Sequence, residues 1–90
     1  MLFKPTRRFR EQVLADSKTS QKRIFRTLKK LVRDPWAPGV NLEPITGRKG
    51  FWTARVTLGC RLLLREVEPD EKKQRVFHII GYGTHEEIYW

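Results

Sequence analysis

The sequence predicts an α+β domain: two N-terminal helices packed on an antiparallel sheet of three to four strands. Three observations carry this. Apolar residues repeat at helical period through the first third of the chain, a Pro/Gly-rich stretch follows at residues 35–50, and from residue 51 the period falls to two. Helices followed by a meander of strands mark the α+β class. The chain of 90 residues is one domain, 1–90, with a single modest core.

Residues 1–4 are expected to form a short edge strand. Pro5 and Thr6 start a helix, with Thr6 as N-cap. This helix carries Phe9 and Val13 at i,i+4, with Leu14 beside them, and ends near Asp16–Ser17. Ser17, Thr19 or Ser20 can cap the second helix. Ile24, Phe25, Leu28, Leu31 and Val32 form one apolar stripe along it. Lys22, Arg23, Arg26, Lys29, Lys30 and Arg33 fill the remaining circumference. Asp34–Pro35 stops the helix, because a residue before proline is pushed out of the α region.

"PWAPGVNLEPITGRKG", residues 35–50, is a long irregular connection with three prolines and three glycines. Connections of this length in compact domains are often functional. Next, Trp52, Ala54, Val56 and Leu58 alternate with Phe51, Thr53, Arg55 and Thr57 in a half-buried strand. Gly59–Cys60 turns the chain. Leu62 and Leu64 then face one way, and Arg61, Leu63, Arg65 and Val67 the other. After the polar "EPDEKKQ" loop, "RVFHIIGY" is a strand apolar on both faces, hence central. His78 within it has a structural role.

The formal charge is +9, and its distribution is uneven. Residues 1–33 hold eleven Lys/Arg against Glu11 and Asp16, whereas residues 34–90 hold eight basic and eight acidic residues. A field of this sign attracts polyanions: nucleic acid, an anionic membrane surface or an acidic protein. Cys60 is the single cysteine and there are two histidines, which argues against an intrachain disulfide and a structural zinc site. No apolar run approaches the roughly 20 residues that span a bilayer. "MLFKPTRRFR" lacks a signal-peptide apolar core. A cytoplasmic setting without membrane contact is expected, with no metal or other cofactor.

Register brings arginines together. If Trp52, Ala54, Val56, Leu62 and Leu64 pack against the helices, Arg55, Arg61 and Arg65 share the opposite sheet face. Guanidinium forks match phosphate oxygens. A solvated charged face explains the same pattern, and periodicity alone does not choose between them.

"DPWAPG", "LEPITG", "GFWTARVTLGCRLLL" and "VFHIIGYGTHEEIYW", in this order, resemble the RelE/ParE superfamily of toxins from type II toxin–antitoxin pairs. The likeness lies in an L…DP helix end, a Gly-containing loop, a W-x-x-R-V strand, an R-L strand and a closing G-x-H-x-x-x-Y, and it covers essentially the whole chain. It implies two helices on a curved antiparallel sheet. The ribonuclease branch cleaves mRNA, commonly in the ribosomal A site, and is silenced by an antitoxin; the ParE branch poisons DNA gyrase without nuclease chemistry. Fold cannot separate these branches. The resemblance gives Arg55 and Arg61 as supports of the scissile phosphate, Glu43 as base, and His85 and Tyr89 as the C-terminal pair of YafQ-like members. Arg65 is carried only by strand parity.

These types suit metal-independent RNA cleavage by the RNA's own 2′-hydroxyl. Histidine as a residue type changes charge near neutrality, so His85 can act as acid. Glu43 can act as base, and the arginines supply charge stabilisation. Tyr89 can stack a base. Plainer roles are open for each: His85 as a surface histidine, Glu43 paired with Arg48 or Lys49, Tyr89 capping the core with Trp90. RNA contact is expected from Arg65, Arg48 and Lys49, and from Lys22, Arg26, Lys29 and Lys30 of the second helix. The surface of the two basic helices is expected to dock ribosomal RNA or an acidic antitoxin segment, with a merely solvated face as the alternative. The expected function is an mRNA endoribonuclease toxin with a cognate antitoxin, mRNA and ribosome as partners, monomeric alone. A gyrase inhibitor and an inactive RNA-binding module are the alternatives.

Overall fold

The computed structural model describes residues 1–89, except for the Tyr89 side chain. The elements are β1 (Leu2–Pro5), α1 (Arg7–Leu14), α2 (Lys18–Arg33), β2 (Glu43–Pro44), β3 (Phe51–Thr57), β4 (Cys60–Val67), β5 (Val76–Gly83) and α3 (His85–Tyr89). Both long-helix starts follow their side-chain chemistry. Thr6 Oγ1 accepts from the Phe9 amide at 3.2 Å, and Ser17 Oγ accepts from the Ser20 amide at 3.1 Å. Thr6 also donates its hydroxyl to the Ile79 carbonyl at 2.8 Å, which ties the start of α1 to β5. Asp34 leaves the helical region at the C-terminus of α2, as the following proline requires.

The sheet has five strands in the order β1-β5-β4-β3-β2. All neighbours are antiparallel except β1 and β5, which are parallel. The expected class holds, but the sheet gains a strand and a parallel edge. β2 is two residues long, too short for its own period to show. The direction of β1 is set by a partner at the far end of the chain, which local pattern does not encode.

Trp52, Ala54, Leu62, Leu64, Phe77 and Ile79 face the helices and join Phe9, Val13, Ile24 and Leu31 in the core. Val40 and Leu42 of the long connection close one end. The buried line of α2 is Ile24, Thr27 and Leu31, not the whole predicted stripe. Thr27 satisfies its buried hydroxyl on the Arg23 carbonyl at 3.1 Å. Phe25 and Val32 are exposed, and with Leu14 and Leu28 they leave an apolar strip on the outer side of α1 and α2. Leu58 also departs from its expected place: it sits 92% exposed in the β3–β4 turn.

Arg75 staples the lower core. Its guanidinium lies 5.3 Å from the Trp52 ring centroid, 5.4 Å from Phe77 and 5.9 Å from Trp36. It donates to both Glu66 carboxylate oxygens, at 2.8 and 3.1 Å, and this holds the Glu66 carboxyl below its usual range.

Pro5 is the last β1 residue paired with β5, so beyond Ile79 that edge of β5 needs another partner. Gln12 of α1 supplies it. Its amide donates to the Tyr82 carbonyl at 2.7 Å and accepts from the Tyr82 amide at 3.1 Å. The Tyr82 hydroxyl donates to Asp16 at 2.9 Å. The Ser17 backbone amide and then this hydroxyl hold the Asp16 carboxyl low, while burial and then Asp16 push the phenol up. The Gln12 contact requires glycine at 81, because an added Cβ would lie 2.9 Å from Gln12 Oε1. Gly81→Ala is expected to displace Gln12 and cost about 1–3 kcal/mol, two ordinary hydrogen bonds. In a Gln12→Ala background most of that cost should vanish. Urea melts of the four proteins check this; a fully additive cycle contradicts it.

Candidate functional site

The site builds on the sheet face away from the long helices. Arg55 of β3 and Arg61 of β4 are direct cross-strand partners. Such partners stand about 4.5–5.5 Å apart at Cβ, and like charges so placed repel. Among the described residues no carboxylate forms an ion pair with either. In the amide orientation that satisfies both groups, Asn41 Oδ1 accepts from Arg55 Nε at 3.2 Å and Nη2 at 3.1 Å. This fixes the Arg55 fork while leaving its charge unneutralised. Asn41 takes a positive φ of 49°, which a small amide side chain tolerates. The neighbouring Val40 carbonyl accepts the Arg55 amide at 2.8 Å, so the long connection is seamed to β3 at this point.

Arg61 is the more unusual member. Its Nη1 is shielded from solvent and meets no acceptor among the described residues. A buried donor left unmade costs about 1–3 kcal/mol, so the fold carries a penalty that an incoming anionic oxygen removes.

Gly83 of β5 is the partner of Arg61 on the other side. The chain then turns at Thr84 into α3, with His85 as its first residue. Thr84 and Glu87 form a reciprocal capping box: the Glu87 amide donates to Thr84 Oγ1 at 3.3 Å, and the Thr84 amide donates to Glu87 Oε1 at 2.8 Å. These bonds hold the Glu87 carboxyl low. Gly83 gives the box room, since a Cβ there would lie 3.0 Å from Glu87 Oε1. Ile88 is 7% exposed and shares a pocket with Leu63 and Ile80. Leu63 lies between Arg61 and Arg65 on their face, so α3 folds over the β4–β5 side of the arginine face. His85 is exposed at the end of the sheet that carries Arg55 and Arg61.

Glu43 approaches from the opposite edge. It pairs with Thr53 and therefore shares the arginine face, one row from Arg55. That diagonal is about 7–8 Å between backbones. Glu43 is exposed. The structure thus brings Arg55, Arg61, His85 and Glu43 to one end and its flanking edges. The Tyr89 side chain lies outside the described residues.

The other predicted contacts lie elsewhere. Arg65 shares the face but is four positions along β4 from Arg61, about 13 Å away. Its guanidinium rests 5.6 Å from the Phe51 ring centroid. Arg48 and Lys49 belong to the β2–β3 hairpin, where the Phe51 amide donates to the Arg48 carbonyl at 3.1 Å. This puts them at the Arg65 end. Lys22, Arg26, Lys29 and Lys30 are exposed on α2, on the opposite side of the sheet. They cannot touch the phosphate that Arg55 and Arg61 would hold. Asn41, Thr84 and Glu87 were not anticipated. T-x-x-E is a readable capping-box signal, but nothing in the sequence marks Asn41 as the partner of Arg55.

Two guanidiniums without an anionic partner can bind a phosphate and stabilise added negative charge on it. An imidazole stands at one rim and a carboxylate at the other. Among the described residues no grouping of three or more His, Cys, Asp or Glu side chains is placed to hold a metal ion. No described helix is long and apolar enough to cross a membrane.

By sequence, the chain matches no family model and no curated protein. By structure it is similar to the YoeB/ParE toxin from Agrobacterium tumefaciens, with TM-score 0.66 and 19% identity over 94% of this chain and 99% of that one. It is similar to YafQ from E. coli, with TM-score 0.69 and 14% identity over 98% and 97% of the two chains. It is likewise similar to a chain of the toxin–antitoxin complex RelBE2 from Mycobacterium tuberculosis, with TM-score 0.65 and 20% identity over 93% and 96%. Near-complete coverage of both chains in each comparison leaves no unmatched element of any size, and the fold of this chain is that of the RelE/ParE-like toxins.

Proposed function

We propose that this protein is the toxin of a type II toxin–antitoxin pair, and that it cuts mRNA on the ribosome, in the cytoplasm, without a metal. The observation that carries the reading is the Arg55–Arg61 pair, like charges in register with a shielded Arg61 Nη1 that meets no acceptor among the described residues. Such a pair is a site for a phosphate. In the proposed reaction Glu43 takes the proton of the 2′-hydroxyl. The freed oxygen attacks the adjacent phosphorus and forms a cyclic phosphate. The bond to the 5′-oxygen breaks, and His85 protonates that oxygen. Arg55 and Arg61 hold the phosphoryl oxygens as charge builds on them, usually the largest contribution to such catalysis.

An antitoxin fits a different surface. Leu14, Phe25, Leu28 and Val32 form an open apolar strip, flanked by Arg10, Arg26, Lys29 and Arg33. An amphipathic segment with an acidic rim complements it in both respects. The DinJ–YafQ toxin–antitoxin complex of E. coli contains a chain of the same fold, which supports a protein partner for this one.

The function is tested by mapping mRNA ends after induction. Wild type should create new ends within coding sequences, and His85→Ala should slow their appearance about 100- to 10,000-fold, the usual share of a general acid. Undiminished cleavage by His85→Ala removes the acid assignment. No cleavage by wild type, with a DNA-damage response instead, favours gyrase inhibition.

A further inference from the structure

The arginine face carries a second band of cations that the proposed chemistry does not use. Register places Phe51 opposite Arg65, Arg65 opposite His78, and His78 opposite Lys4. Phe3, the neighbour of Lys4, stacks on Phe77 in the core, and Trp52, the neighbour of Phe51, also packs there. Side chains alternate along each strand, so Phe51, Arg65, His78 and Lys4 all stand on the other face, beside one another across four strands. Among the described residues no carboxylate shares this row. Glu66, next to Arg65, faces the core side and is occupied by Arg75.

The row resembles the Arg55–Arg61 pair in its logic. Arg65 and Lys4 are its two fixed cations, and His78 between them adds an imidazole N–H donor. The Arg65 guanidinium sits 5.6 Å from the Phe51 ring centroid, a contact that restrains its fork before any ligand arrives. The two cation rows are about 13 Å apart along β4. Between them Thr53 is fully buried and Leu63 lies beside Ile88 of α3, so no charged side chain of β3 or β4 stands between the rows on this face. That separation exceeds what one phosphate can bridge, but one strand crossing this uncharged cover can reach both.

We propose that Arg65, His78 and Lys4 form a second phosphate subsite, which holds a flanking phosphate of the same single-stranded RNA whose scissile phosphate sits at Arg55 and Arg61. The proposal rests on the reading of the arginine pair as a phosphate site. It assigns His78 to the ligand rather than to the core. It also implies that the protein grips RNA along the sheet face, across the strand order β3-β4-β5-β1 at the second row.

The test uses the whole protein and uncleavable 2′-O-methyl uridine oligonucleotides, followed by NMR of the backbone amides. A dinucleotide should shift amides around Arg55 and Arg61 only. An octanucleotide should also shift Phe51, Arg65, His78 and Lys4. The Lys4→Ala/Arg65→Ala variant should bind the octanucleotide roughly tenfold more weakly, the loss of one charged contact. Its log–log salt dependence should be shallower by about 0.7, the value for one phosphate on a single strand. Its affinity for the dinucleotide should not change, which also shows that the variant is folded. An octanucleotide that shifts only the Arg55–Arg61 end overturns the proposal, as does a double variant that binds it like wild type. A polyglutamate peptide that shifts the second row at lower concentration than the octanucleotide assigns the row to a protein partner and also overturns it. If wild type fails to cut mRNA yet the octanucleotide spans both rows, the nuclease reading falls and the subsite stands.

Discussion

Arg61→Ala is expected to lower RNA cleavage about 100- to 1,000-fold, the usual cost of losing one preorganised donor to a developing oxyanion. The same change should leave the fold intact and raise its stability. Arg61 faces Arg55 directly, and its Nη1 is shielded with no acceptor among the described residues. Removing it relieves a like-charge contact and an unmade hydrogen bond together. The melting temperature should therefore rise by a few degrees while activity collapses, roughly 4–8 °C for each kcal/mol in a domain of this size. Arg61→Lys should recover little activity, because a point charge does not reproduce the fork. Cleavage assays and thermal melts on the same preparations check both halves. Near-normal cleavage by Arg61→Ala would remove the residue from the site, and a lower melting temperature would mean that its role is structural.

Phe77→Ala is expected to cost about 3–5 kcal/mol of folding stability. Phe77 is fully buried near the start of β5. Its ring stacks on Phe3 at 5.3 Å and meets Trp52 edge-on at 5.6 Å, with the Arg75 guanidinium 5.4 Å away. Truncation opens a cavity, loosens β1 and unseats the Arg75 staple at once. Against a typical total of about 5–15 kcal/mol, that loss unfolds an appreciable fraction of the protein. Phe77→Leu should cost much less, because it keeps most of the volume. Denaturant melts at constant slope measure the difference. A loss below about 1 kcal/mol would show that the site can collapse around the missing ring.

Legibility differed between elements for physical reasons. α2 was readable because its period, the Ser17 cap and the Asp34–Pro35 stop are all local. Which arc of its apolar stripe would be buried was not, because that depends on how α2 is rotated on the sheet. β3, β4 and β5 were readable from alternation, and the parity argument correctly put Arg55, Arg61 and Arg65 on one face. Parity does not give depth along the strand, however, so the separation of Arg65 from the other two was hidden. α3 is only five residues long, and its stability comes from the Thr84–Glu87 box and from Ile88 on the sheet rather than from helical period.

The sequence by itself determined the element types, the polarity of the sheet faces, the concentration of positive charge in the first third, and the candidate chemistry of Arg55, Arg61, Glu43 and His85. The first three follow from periodicity, caps and side-chain type, which are properties of neighbouring residues, and the last is what the resemblance to the RelE/ParE superfamily implies. Tertiary structure alone decided the parallel pairing of β1 with β5, the clamp of Gln12 on Tyr82, the seating of Asn41 on Arg55 and the unpartnered Nη1 of Arg61. It alone drew Lys4, His78 and Arg65 into one row. Each of these joins residues far apart in the chain, and their partners are chosen by the register and packing of the whole sheet rather than by any local pattern.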